Sequence, residues 1–157
     1  SLQTNEDGGL KVILDGKDVS KEIRQPRVTK IVSDIAKIKE VREVLVGIQR
    51  KLAGKQDSVL DGRDIGTVVF PEADKKFYLD ARFEERAARR YKELKSSGQK
   101  ITLDEVKIDL ANRDTIDSTR QFGPLKKADD AMYIDTTNLT IQEVVEILLK
   151  NILSNSV

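Results

Sequence analysis

Asp61-Gly62-Arg63-Asp64-Ile65-Gly66-Thr67-Val68-Val69-Phe70-Pro71 puts two carboxylates and a guanidinium into a glycine-punctuated loop directly after the apolar residues Val59-Leu60. If Ser58-Val59-Leu60 is a short strand, the loop lies at its carboxyl end, where open α/β sheets bind ligands. The residue types suit a phosphorylated ligand. Glycine lets a ligand approach the backbone, arginine offers a planar fork matched to phosphate oxygens, and aspartate accepts from an amine or holds hydrated magnesium. A Gly-Arg-Asp triplet alone reads as a surface turn with an ion pair of little energetic weight. The full stretch carries more information than the triplet.

Working outward, Lys76-Phe77-Tyr78-Leu79 reads as a second strand and residues 131–135 as a third. Residues 84–95 are rich in helix formers and stop at Gly98, while Thr102 with Glu105 three residues later is a capping box opening the next helix toward Arg120. Residues 140–153 read as an amphipathic closing helix, with Ile141, Val144, Val145 and Leu148 on its buried side. Strands alternating with helices imply an α/β fold with a parallel sheet.

Toward the N-terminus, residues 10–14 lead into Asp15-Gly16, a tight-turn pair, and Val19 begins a return strand. From Pro26, apolar residues at helical spacing run to Ile35 and resume at Val41, Val44, Leu45, Ile48 and Leu52, so two helices meet at a joint near residues 37–40. The chain starts at Ser1 and runs into the polar stretch of residues 3–9, which reads as a loop entered part-way.

The 157 residues are 38% hydrophobic and 35% charged, within the range of one globular domain with a modest core. Lysine and arginine total 28 against 27 acidic residues, and the net charge of +1 with 4% aromatic content argues against nucleic acid or an anionic membrane as partner. With no cysteine and no histidine, disulfides, thiolate nucleophiles, imidazole acid–base chemistry and His/Cys zinc sites are excluded. No apolar run reaches the ~18–20 residues of a membrane span, and the N-terminus lacks a signal-peptide pattern, so a cytoplasmic location is expected.

The Asp61 to Pro71 stretch closely resembles the signature of bacterial cytidylate kinases. The resemblance continues in order through Asp15-Gly16-Lys17-Asp18-Val19-Ser20, Val41-Arg42-Glu43, Glu84-Glu85-Arg86-Ala87 and Asp135-Thr136-Thr137. It implies a P-loop nucleoside-monophosphate kinase fold, a parallel sheet flanked by helices with a small β-rich NMP-binding insert. Residues 1–30 would be the remainder of that insert and 31–157 the core kinase portion, with a lid at about 113–125. The implied activity is transfer of the γ-phosphoryl group of ATP to CMP or dCMP with Mg2+, by a monomer.

In that family a glycine-rich Walker A loop holds the ATP phosphates. Here the Gly-Lys pairs are Gly16-Lys17, followed by Asp18, and Gly54-Lys55, followed by Gln56, and neither stands between an apolar strand and a hydroxyl-led helix. The expectation is therefore a partial fold lacking the Walker A strand–loop–helix, and an isolated chain without kinase activity.

By the same resemblance, Ser33, Arg42 and Asp64 read the cytosine, Arg63 contacts the CMP phosphate, and Asp61 binds magnesium through water. Ser33 and Arg42 lie nine positions apart and would face opposite ways on one straight helix, so convergence needs the bend near residues 37–40. Many relatives carry proline near Lys39; this chain does not, leaving the bend to tertiary packing.

Arg113, Asp117 and Arg120 share one helix face at i, i+4 and i+7. Spacing alone makes them an intrahelical ladder. The resemblance makes them a lid in which Arg113 and Arg120 approach the transferring phosphates and Asp117 contacts the ribose, consistent with a reaction governed by positioning and charge. Arg82, Arg86, Arg89 and Arg90 read as a solvated charged face, with Arg86 or Arg89 a candidate contact to ATP. The competing readings are a non-catalytic pyrimidine-nucleotide-binding module and a UMP-preferring kinase.

Overall fold

The computed structural model describes residues 2–4, 10–54 and 57–154; the side chains of residues 2–4, 10, 26, 29, 30 and 33 are outside the description. The chain packs as two compact units, Ser1–Val44 and Leu45–Val157, with the division inside a helix.

The first unit holds an antiparallel three-stranded sheet of β1 (Leu2–Thr4), β2 (Leu10–Leu14) and β3 (Lys17–Asp18), in that order. Asp15 and Gly16 both have positive φ, 49° and 79°, the geometry of a two-residue type I′ turn whose twist suits a hairpin. The return strand therefore starts at Lys17, two residues before the expected Val19, which still donates to Val12 O at 2.9 Å. Helix α1 (Pro26–Ile35) opens with proline in its first turn, and α2 (Lys39–Ala53) begins after a break at residues 36–38. The expected joint is thus present as two separate helices.

In the second unit, β4 (Phe77–Asp80) and β5 (Met132–Asp135) pair in parallel, with Phe77 opposite Met132 and Asp80 opposite Asp135. Between them run α3 (Phe83–Ser96) and α4 (Leu103–Thr119), and α5 (Ile141–Leu153) follows β5. Capping boxes open α4, through Thr102 and Glu105, and α5, through Thr140 and Glu143. The fold is mixed α/β with a small parallel sheet and helices. Its core is formed by Val69, Ala81, Ala87, Val106 and Ile134.

Further expectations are corrected. Gln3 and Thr4, expected in a loop, belong to β1. Residues 58–60 form no strand ladder among the described residues, and Val59 is 98% exposed. A three-residue apolar segment becomes a strand only against a neighbour, and none of the described strands pairs with it. In α5 the half-buried stripe is Val144, Ile147, Leu148 and Asn151, while Ile141 is 86% exposed. The helical period holds, but α5 is apolar around so much of its circumference that periodicity could not select the covered side. Among the described residues no helix is long and apolar enough to cross a membrane.

Candidate functional site

The loop singled out in the sequence folds into a π-helical turn at Ile65–Val69. Asp64 O accepts from Val68 N at 2.9 Å and Val69 N at 3.2 Å, and Phe70 N donates to Ile65 O at 2.7 Å. Such wide turns are uncommon and frequent at functional sites. Gly62 permits the preceding bend, because a Cβ there would lie 2.9 Å from Ile65 Cγ1. The space is taken by the loop's own side chain.

Helix α4 presents the other half of the site. Its inward stripe starts apolar, with Val106 and Leu110, and continues through Arg113 to the buried Asp117 and Arg120. A stripe that changes from apolar to charged while staying inside must pair its charges. Arg63 Nε donates to Asp117 Oδ2 at 2.9 Å, Arg120 Nη1 lies 3.4 Å from Asp117 Oδ1, and Arg120 Nη2 lies 3.8 Å from Asp64 Oδ1. Two carboxylates and two guanidiniums thereby form a charge-balanced quartet. Arg120 Nε donates to Gly123 O at 2.6 Å and Leu125 N to Asp117 O at 2.6 Å, folding the segment after α4 back onto its end.

Of the ladder that spacing suggested, only the Asp117–Arg120 rung forms among the described residues. Arg113 Nε is instead buried and meets no hydrogen-bond partner among them. A buried guanidinium donor left over beside paired charges is suited to an acceptor such as a phosphate oxygen.

The family model described as cytidylate kinase matches residues 1–154. The chain belongs to the cytidylate kinase family. The cytidylate kinase of Alkaliphilus oremlandii is 56% identical over 135 residues, which covers 86% of this chain and 62% of that protein. That of Clostridioides difficile is 53% identical over 141 residues, covering 90% and 65%. That of Caldanaerobacter subterraneus subsp. tengcongensis is 50% identical over 148 residues, covering 94% and 66%. The chain thus spans 62–66% of the length of these curated relatives.

The remaining residues expected from the cytidylate kinase resemblance are placed as follows. Ser33 lies in α1, its side chain outside the description, and Arg42 lies in α2, with Nη1 3.5 Å from Ala36 O in the break between those helices. Asp61 is exposed, with no ion pair or hydrogen bond among the described residues.

Arg86 and Arg89 are engaged within the chain. Arg86 donates to Ala81 O at 3.1 Å and pairs with Asp114 at 2.7 Å, tying α3 to α4. Arg89 Nη2 donates to Thr136 O at 2.6 Å and Nη1 to Thr136 Oγ1 at 3.1 Å, tying α3 to the turn after β5. The arginine side of α3 was read from the sequence as a solvated face. Arg89 stays exposed and keeps its i,i+4 pair with Glu85 at 3.0 Å, while Arg86 is half-buried; both add tertiary ties, to Asp114 and Thr136, that the spacing does not show.

Sequence reading missed Asp114 and Arg50. Arg50 Nε donates to Val69 O and Nη2 to Val68 O, each at 2.7 Å. Neither residue sits in a motif, and a helix-surface charge at either position carries no local sign of its distant partner.

Proposed function

We propose that this chain supplies the acceptor-nucleotide site of a kinase that transfers the γ-phosphoryl group of ATP to CMP or dCMP, giving CDP or dCDP. The observation that carries the reading is the quartet in which the half-exposed Arg63 joins the buried Asp64, Asp117 and Arg120, with the buried Nε of Arg113, on α4, meeting no hydrogen-bond partner among the described residues. In this reading Asp64, with Ser33 and Arg42, accepts from and donates to the cytosine edge, and Asp117 bonds the ribose. Arg63, Arg113 and Arg120 hold phosphate. Phosphoryl transfer asks the protein chiefly to align the acceptor oxygen and to neutralise charge that spreads over the transferring group.

The same proposal takes the architecture as that of a P-loop nucleoside-monophosphate kinase, with residues 1–30 from the NMP-binding insert, 31–157 from the core and a lid at about 113–125. Closure of that segment would exclude water that competes with the acceptor. The protein is taken as a cytoplasmic monomer without nucleic-acid or membrane partners, with Arg86 and Arg89 toward ATP.

Magnesium fits this donor set in one way. Asp61 is a single exposed carboxylate, and no group of three metal-ligating side chains occurs among the described residues. Mg2+ is commonly held by one or two carboxylates, several waters and substrate phosphates. Asp61 would hold it through water, and the ion would neutralise phosphate charge.

Calorimetry with CMP, dCMP and UMP tests the reading. CMP binding that weakens at least tenfold in Asp64→Ala supports it, since a bond to a charged group contributes about 1.5–3 kcal/mol. Equal binding of UMP would favour a UMP-preferring site, and CMP binding untouched by the substitution would sink the assignment.

A second reading is binding without turnover by these 157 residues. The observation favouring it is that Gly16-Lys17 belongs to a hairpin, Gly16 in its turn and Lys17 at the start of β3, a geometry unlike the helix-opening loop that cradles ATP phosphates. Lys55 of the other pair lies outside the described residues.

A further inference from the structure

We infer that Arg50 is a positioning residue for the acceptor site: it fixes the π-helical turn from which Asp64 reaches the base. The inference rests on the assignment of Asp64 proposed above.

A five-residue helical turn cannot satisfy its own last carbonyls. Here Val68 O and Val69 O are satisfied by Arg50, 18 and 19 residues away in sequence, through Nη2 and Nε at 2.7 Å each. The two donors belong to one edge of a planar guanidinium, so the pair of bonds sets the angle of both peptides as well as their distance. The amides of the same two residues donate to Asp64 O, at 2.9 Å from Val68 and 3.2 Å from Val69.

Val68 and Val69 are therefore held on one side by Arg50 and on the other by Asp64, with the Val69 side chain 1% exposed in the core. The Asp64 carboxylate lies 3.8 Å from Arg120 Nη2. A π-turn is an uncommon local minimum. Without the fork, the i+5 bonds of Val69 and Phe70 can give way to the i+4 bonding that Val68 already makes to Asp64 O, which would shift the backbone bearing Asp64.

Lysine keeps the charge but presents a single point donor without a fork. Arg50→Lys should therefore speed hydrogen exchange at the Val68 and Val69 amides and weaken CMP binding about tenfold. UMP, which has no amine for Asp64 to meet, should keep its affinity within about twofold. A loss of general stability would weaken both nucleotides together. Arg50→Gln, which retains one amide donor, serves as the second variant should the lysine protein fail to fold.

Wild-type exchange rates at Val68 and Val69 in the folded variant, or parallel losses for CMP and UMP, would overturn the inference. Failure of the underlying assignment has a different signature: Asp64→Ala leaves CMP binding unchanged in an otherwise native chain. In that case the exchange rates alone decide whether Arg50 fixes the turn.

Discussion

The Nε–H of Arg63 donates to Oδ2 of Asp117 at 2.9 Å across 54 positions of sequence, and the two ends of that bond live in different surroundings. Arg63 is 46% exposed, whereas Asp117 is 7% exposed and Arg120, its other partner, 4%. Arg63→Ala should lower stability by less than about 1 kcal/mol, because water replaces most of what is lost. Arg120→Ala leaves Asp64 and Asp117 buried with reduced compensation and should cost about 3 kcal/mol. Urea titration of both variants checks the ordering, and equal losses would contradict it.

The hairpin of the first unit offers a backbone test. Gly16 has φ of 79° and a Cβ there would meet nothing within 4 Å, so a substitution is penalised by conformation alone. Gly16→Val should destabilise the hairpin by about 1–2 kcal/mol. Hydrogen exchange at the Val19 amide, which bonds to Val12 O, reads that loss. An unchanged rate would mean that this turn does not hold the β2–β3 register.

Acid should weaken the second unit through a defined set of carboxylates. The Thr137 hydroxyl, and then the Thr137 amide, hold Asp135 below the usual carboxylate range; Lys76 does the same for Asp130, and the Thr140 amide and hydroxyl for Glu143. A folded-state value below the unfolded one means that the unfolded chain binds more protons in acid. The stability these groups contribute is therefore complete above their unfolded values, about pH 4, and is lost as pH falls through the folded ones. Thr137→Val removes the hydroxyl donor, so its stability deficit should be larger at pH 7 than at pH 2. Thermal unfolding at the two pH values measures this, and a deficit independent of pH would show that Asp135 does not contribute.

A coupled assay of these 157 residues with ATP, CMP and Mg2+ should show negligible turnover, since Asp18 and Gln56, neither of them a hydroxyl residue, follow their two Gly-Lys pairs in sequence. Turnover at the ~1–100 s⁻¹ typical of kinases would overturn the binding-only reading.

Where local chemistry decides structure, the sequence was legible. Thr102 with Glu105 opens α4, and Asp15-Gly16 makes the two-residue turn. The polar interval near residue 37 separates α1 from α2, and the two strands at residues 77–80 and 132–135 lie within a residue of their expected positions. Residues 58–60 and the covered side of α5 were not legible. Both depend on which neighbour lies alongside, and periodicity records that a segment is apolar without recording what covers it.

The stretch from Asp61 to Pro71 shows the same division. Its residue types gave the candidate ligand groups, because glycine, aspartate and arginine carry their chemistry wherever they are placed, and its resemblance to the cytidylate kinase signature, together with the further motifs, gave the family. Tertiary structure alone decided that the stretch closes as a π-turn, that Arg50 holds it, and that Asp64 and Arg63 meet Asp117 of α4 and Arg120 at its C-terminal end in one charge-balanced group. Those outcomes follow from pairing buried charges and satisfying turn carbonyls across 18 or more positions, requirements that arise only once the chain has folded and water has been excluded.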